Sequence, residues 1–155
     1  MRVKTVLGGM GITLVFVYAI GSGLWVNTGD NWYRSLNSPS WQPPDFVFGL
    51  IWPYNFIVLG IASVLLTTRV STRTNIIFLT FFSLSVISAL TWAYQFYRPH
   101  NLSVAAIALA ITAILTIPIT VILFKASIPL GVLVLPYQAW VIIAGILSHS
   151  YSRLN

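Results

Sequence analysis

Five apolar runs, each about 20 residues long, recur near residues 5–26, 46–67, 75–97, 102–124 and 129–151. A run of that length crosses a ~30 Å hydrocarbon core as an α-helix, and lipid offers the backbone no partner outside the helix itself. The later breaks, "TTRVSTRTN", "RPHN" and "KASIP", are too short to hold a second domain. The expected fold is an all-α membrane protein, one five-transmembrane-helix bundle over residues 1–155 with a long loop between the first and second helices. Composition agrees: 57% of the residues are hydrophobic and 6% charged, against roughly a quarter charged in a soluble domain.

The opening "MRVK" and the later "YAIGSG" have the outline of a secretory leader. The apolar run near 5–26 continues through the second of these and, at about 20 residues, exceeds the ~7–15 residues of a leader core, so it reads as the first span. With no cysteine, disulfides and thiolate metal sites are excluded. The formal charge of +6 comes from cations scattered singly among the helix ends, which points to membrane topology and not to nucleic acid. Arg2, Lys4, Arg69, Arg73 and Lys125 fall on one side of the expected bundle, and Arg34, Arg98 and Arg153 on the other. The positive-inside rule then predicts a cytoplasmic N-terminus, with the long loop and the C-terminus outside. The absence of an obvious cleaved leader, together with helical spans, favours a plasma or inner membrane.

The six tryptophans are one-sided. Trp25 ends the first span, Trp32 and Trp41 lie in the long loop, and Trp52 and Trp92 sit about 10 Å and 7 Å inside the spans on the loop side. Trp140 is near the middle of the fifth span. An interfacial aromatic belt occupies both faces of a membrane, so this distribution predicts a chamber beneath the loop, with Trp25 alone left to a belt. Helical spacing supplies its walls: Trp52, Phe56 and Gly60; Ala89, Trp92 and Phe96; Pro136, Trp140, Ala144 and Ser148. The small residues of these stripes, like the pair Ala19 and Gly23, equally suit close helix packing or a dimer. An indole N–H buried in lipid needs an acceptor, which a polar ligand edge would supply.

The segments "WYRSLNSPSWQPP", "IWPYNFIVLGIA" and "LPYQAWVIIAGIL", with a closing "LN", resemble the translocator protein family, TspO, the tryptophan-rich sensory proteins. The similarity spans the whole chain. Trp32, Tyr33, Leu36, Pro39, Trp41, Pro43 and Pro44 match the first-loop pattern, Trp52, Phe56 and Gly60 the second helix, and Pro136, Tyr137, Trp140, Ala144 and Leu147 the fifth. Two positions depart: Ala89 replaces an Asn three residues before Trp92, and Ser148 stands where many members carry Asn. The resemblance implies a homodimeric five-helix protein in the lipid bilayer. It would require no cofactor and would take tetrapyrroles, protoporphyrin or haem, as ligand; in animals the family also binds sterol and benzodiazepine-type compounds. The ligand-binding residues expected are Tyr33, Trp41, Trp52, Phe56, Ala89, Trp92, Phe96, Tyr137, Trp140 and Ala144. Acidic propionates of the ligand are expected to reach Arg34 or Arg98, and Pro39, Pro43 and Pro44 to stiffen the loop as a lid or a plain connector.

Leu147, Tyr151 and Arg153 fit the loose consensus proposed for sterol contact. No ionisable residue lies mid-span to form a proton relay, which leaves translocation to a rearranging pocket, with Pro53 and Pro118 as kinks. There is no carboxylate pair, no nucleophile beside a base, and no metal-ligand cluster around His100 or His149. The reading is of a tetrapyrrole-binding protein of sensing or stress homeostasis, the alternatives being a transporter or a light- and oxygen-dependent porphyrin-degrading enzyme. In that last case Trp52 and Trp140 are the catalytic candidates.

Overall fold

A computed structural model describes residues 2–155. They form six helices: α1 Arg2–Trp25, α2 Asn31–Ser35, α3 Asp45–Arg69, α4 Thr72–Tyr97, α5 Leu102–Ala126 and α6 Ile128–Leu154. Five are long and apolar enough to cross a bilayer, so the chain is the expected all-α five-helix membrane protein. The spans begin at 2, 45, 72, 102 and 128, against the expected 5, 46, 75, 102 and 129. Their starts follow local chemistry. The Ser71 hydroxyl accepts the Thr74 N–H at 3.2 Å and the Asn101 side chain the Val104 N–H at 3.1 Å, so each side chain caps a helix. Pro43 and Pro44 lack N–H groups and hold the chain extended up to α3.

The short helix α2 inside the long loop was not expected. It forms because the Asp30 carboxylate accepts the Tyr33 N–H at 2.7 Å, closing an N-cap on a single turn.

The spans close into a ring: α1 lies between α3 and α4, α5 between α4 and α6, and α3 meets α6. Close approach and polar bridges hold the ring, because lipid gives little hydrophobic drive between helices. Gly11 lets α1 sit directly on Ser63 of α3, where a Cβ would overlap the serine side chain. Ser88 donates to the Ala108 carbonyl at 2.7 Å, joining α4 to α5. Gln138 joins α6 to α5 twice, donating to the Ala113 carbonyl at 3.1 Å and accepting from Thr120 at 3.2 Å. The Tyr54 hydroxyl donates at 2.8 Å to the Leu133 carbonyl, in the turn of α6 whose ladder Pro136 interrupts. Phe78, Phe82, Leu59, Leu109, Val134 and Val141 fill the interior, while Ile57, Ile61, Ile107, Ile114, Ile117 and Ile146 face outward. A second, aromatic cluster built on Phe96, Tyr97 and Tyr151 lies at the loop end of the ring.

Candidate functional site: an aromatic chamber at the loop end

At the loop end the ring encloses a cavity of about 490 Å³, in the range of small-molecule sites. Four spans build it. Ala19, Ser22 and Gly23 come from α1, with Val26 just past its end, and Asp45, Phe48, Gly49, Trp52 and Phe56 from α3. Trp92, Phe96 and Tyr97 come from α4, and Trp140, Ala144, Leu147, Ser148 and Tyr151 from α6, while Thr28 and Tyr33 reach in from the connecting segment. None of the described lining residues belongs to α5.

The rings are set edge to face and offset. Phe48 meets Trp140 at 5.1 Å between centroids and 80°, Trp52 stacks on Phe56 at 5.9 Å, and Tyr18 lies beneath both Trp52 and Phe56 at 6.0 and 5.3 Å. The chamber closes inward and opens between α1 and α3. Trp140, Ala144, Ser148 and Phe96 are buried, whereas Gly23, Val26, Asp45 and Gly49 are exposed. A Cβ added at Gly23 or Gly49 would meet nothing within 4 Å.

The connecting segment forms a roof tied at four places. Trp32 lies flat on His100, 3.6 Å between centroids and 8° from parallel, and His100 takes a left-handed backbone, φ 59°, in the α4–α5 turn. Tyr33 packs on Tyr97 at 5.9 Å, and the Tyr151 hydroxyl donates to the Gln42 side chain. The Asn37 N–H donates to the Asn155 side chain at 2.9 Å, and the Asn155 amide returns a bond to the Asn37 carbonyl at 3.2 Å.

Several buried polar atoms have no protein partner. The Trp92 and Trp140 indole N–H groups and the Ser148 hydroxyl are among them, and all three residues belong to the chamber wall. Trp140 is 5% exposed and Ser148 3%. An unmatched donor in a water-poor site costs about 1–3 kcal/mol, which a ligand carrying acceptors would recover.

Of the ligand-binding residues expected from sequence, Tyr33, Trp52, Phe56, Trp92, Phe96, Trp140 and Ala144 stand in the wall, and so do Leu147 and Tyr151. Trp41, Ala89 and Tyr137 do not. Trp41 is 46% exposed on the outside of the loop, while Ala89 and Tyr137 are 1% and 0% exposed in the packed interior. Arg153 is exposed, apart from Leu147 and Tyr151. Gly60 packs under Ile12 of α1 and serves helix contact. Ala19 and Gly23, read as packing or dimer residues, border the chamber instead. The rim cations are placed elsewhere too: the Arg98 guanidinium donates to the Leu24 carbonyl at 3.4 Å, and Arg34 is exposed outside the wall. Sequence reasoning missed Ser22, Val26, Thr28, Asp45, Phe48, Gly49 and Tyr97. The four-residue spacing from Phe48 to Trp52 and the three-residue spacings from Gly49 to Trp52, Ala19 to Ser22 and Gly23 to Val26 are the signals that would have found four of them.

Residues 10–154 match the TspO/MBR family. The chain is 26% identical to protein CrtK of Rhodobacter capsulatus, over 94% of this chain and 95% of that one. It is 29% identical to the tryptophan-rich protein TspO of Archaeoglobus fulgidus, over 87% of each. It is also 26% identical to the translocator protein of Homo sapiens, over 88% of this chain and 82% of that one. The five-helix ring, the roofed aromatic chamber and a family match running almost end to end place the chain in the TspO/MBR family.

Proposed function

We propose that the chamber binds a tetrapyrrole, protoporphyrin or haem, and that the protein acts in sensing or tetrapyrrole homeostasis. The observation that carries this reading is the wall itself: three indoles, two of them with unpaired N–H groups, around an apolar slot opening at one end. A flat macrocycle gains most from such a wall. Its faces stack on Trp52 and Phe56, and its π-electrons are a weak acceptor for the Trp92 and Trp140 N–H groups. No histidine or methionine is among the described lining residues, so a haem would be held by stacking and not by those axial ligands. The roof limits water above the slot. The N-terminus is taken as cytoplasmic and the protein as a homodimer in a plasma or inner membrane, on charge placement and family resemblance.

Saturable quenching of intrinsic Trp fluorescence by protoporphyrin tests the reading. Trp140→Phe removes one N–H and part of a stacking face and should weaken binding roughly 3- to 10-fold. Trp25→Phe should leave binding within about twofold, because Trp25 packs on Tyr94 outside the chamber. Equal effects of the two changes would return the tryptophans to a membrane belt. Illumination of the complex in air separates the alternatives. An unchanged pigment spectrum supports a sensor or carrier, and a new product that disappears in Trp52→Phe supports a degrading enzyme.

A further inference from the structure

Asp45 is the one charged side chain among the described residues lining the chamber. It stands exposed at the open end, in the first turn of α3. An acid in a first helical turn complements the helix dipole wherever it occurs, so its position on α3 says nothing about a ligand. Its place in the wall does. The chain carries eight Lys and Arg against two acids, yet no Lys or Arg is among the described residues of this wall. The other acid, Asp30, is engaged as the N-cap of α2. On α6 the wall carries unpaired donors: the Trp140 N–H and the Ser148 hydroxyl, on side chains more than nine-tenths buried.

We infer that Asp45 sets the charge selectivity of the chamber, favouring ligands whose mouth-side edge is neutral or cationic over those that place a carboxylate there. The inference rests on the tetrapyrrole reading and narrows its ligand class. A ligand's ionised group cannot enter the apolar inner end without losing its hydration, so it must stay at the mouth. Among the described residues that line the mouth, the one charge is the Asp45 carboxylate. A ligand carboxylate is repelled there, an ester is indifferent, and an ammonium gains an ion pair in a largely aromatic wall. A tetrapyrrole with esterified, amidated or amine-bearing side chains therefore suits this chamber better than the free diacid.

The test titrates three porphyrins of one ring system and different edge charge into the full-length protein in nanodiscs near neutral pH: protoporphyrin, its dimethyl ester, and a diamide ending in two primary amines. Each is compared between wild type and variant, so that its own partition into lipid cancels. Asp45→Asn should tighten the diacid about 3- to 10-fold, leave the diester within about twofold, and weaken the diamine about 3- to 10-fold, the size of one charge contact at a wet protein rim. Asp45→Glu keeps the charge and should preserve the wild-type order, which separates charge from any disturbance of the α3 start. Parallel shifts of all three ligands in Asp45→Asn, or no shift in any, would overturn the inference and leave the tetrapyrrole reading standing. Failure of all three to bind either protein would overturn both.

Discussion

Each residue of a helix turns the side-chain direction by about 100°, so the residue four after a tryptophan and the one three before it lie on the same side of the axis, about 40° and 60° round. Around the chamber depth therefore decides membership where facing does not. Phe96 and Ala144 follow Trp92 and Trp140 by four, toward the loop end of α4 and α6, and stand in the wall, whereas Ala89 and Tyr137 precede them by three, away from the loop end, and lie in the packed interior. Ala89→Asn, which would restore the family residue, therefore buries an amide among core side chains. It should cost about 1–3 kcal/mol of stability, read as a lower thermal midpoint in detergent, with no gain in affinity for an amide-bearing aromatic ligand. Tighter binding without loss of stability would mean that residue 89 reaches the chamber. The wall tryptophans were legible in the sequence because they are large, rare and one-sided. Asp45 and Gly49 were not, because a carboxylate at a helix start and a glycine near a span end both have ordinary structural reasons to be there.

The roof shows what single elements add. The segment between the first two spans was legible as a proline-stiffened loop, and its turn α2 rests on the local Asp30 cap, but the ties of that segment to α4 and α6 depend on partners more than sixty residues away in sequence, which no local pattern reveals. The prolines limit the loop's own freedom, while the Asn37–Asn155 pair and the Tyr151–Gln42 bond fix where it sits. Asn155→Ala removes two of these bonds, each worth a net ~0.5–1.5 kcal/mol, and so should raise local opening of the roof roughly 5- to 150-fold. Trypsin cleavage after the exposed Arg34 reads that opening directly, and release of bound protoporphyrin in stopped flow should accelerate in step. Faster cleavage with an unchanged release rate would make the roof a connector and not a lid.

At the scale of the whole molecule, the number of spans and their ends were legible because length and capping are local properties, whereas the order of helices around the ring was not. The most apolar span, α5, carries no charged residue before Lys125, and its threonines Thr112, Thr116 and Thr120 form one buried stripe that does not mark which side meets α4 and which meets α6. Its partners are chosen by side-chain bridges: Ser88 on α4 reaches the Ala108 carbonyl, and Gln138 on α6 reaches Ala113 and Thr120. Because α5 gives no described residue to the chamber wall, these bridges belong to the scaffold and not to the site. Gln138→Leu keeps the bulk of the side chain but removes both bonds to α5 and leaves the Thr120 hydroxyl its bond to the Thr116 carbonyl. Interhelical hydrogen bonds in membranes are worth about 0.6 kcal/mol on average and up to about 1.7, so the variant should lose roughly 1–2 kcal/mol of stability. Protoporphyrin affinity should stay within about twofold, since Gln138 turns away from Trp140 toward α5 and no bond to the wall is lost. Thermal unfolding with and without protoporphyrin measures both quantities in one experiment: a lower midpoint with the same ligand-induced rise is the expected result. A diminished rise would mean that the chamber's shape depends on the α5–α6 contact, and that scaffold and site cannot be separated in this bundle.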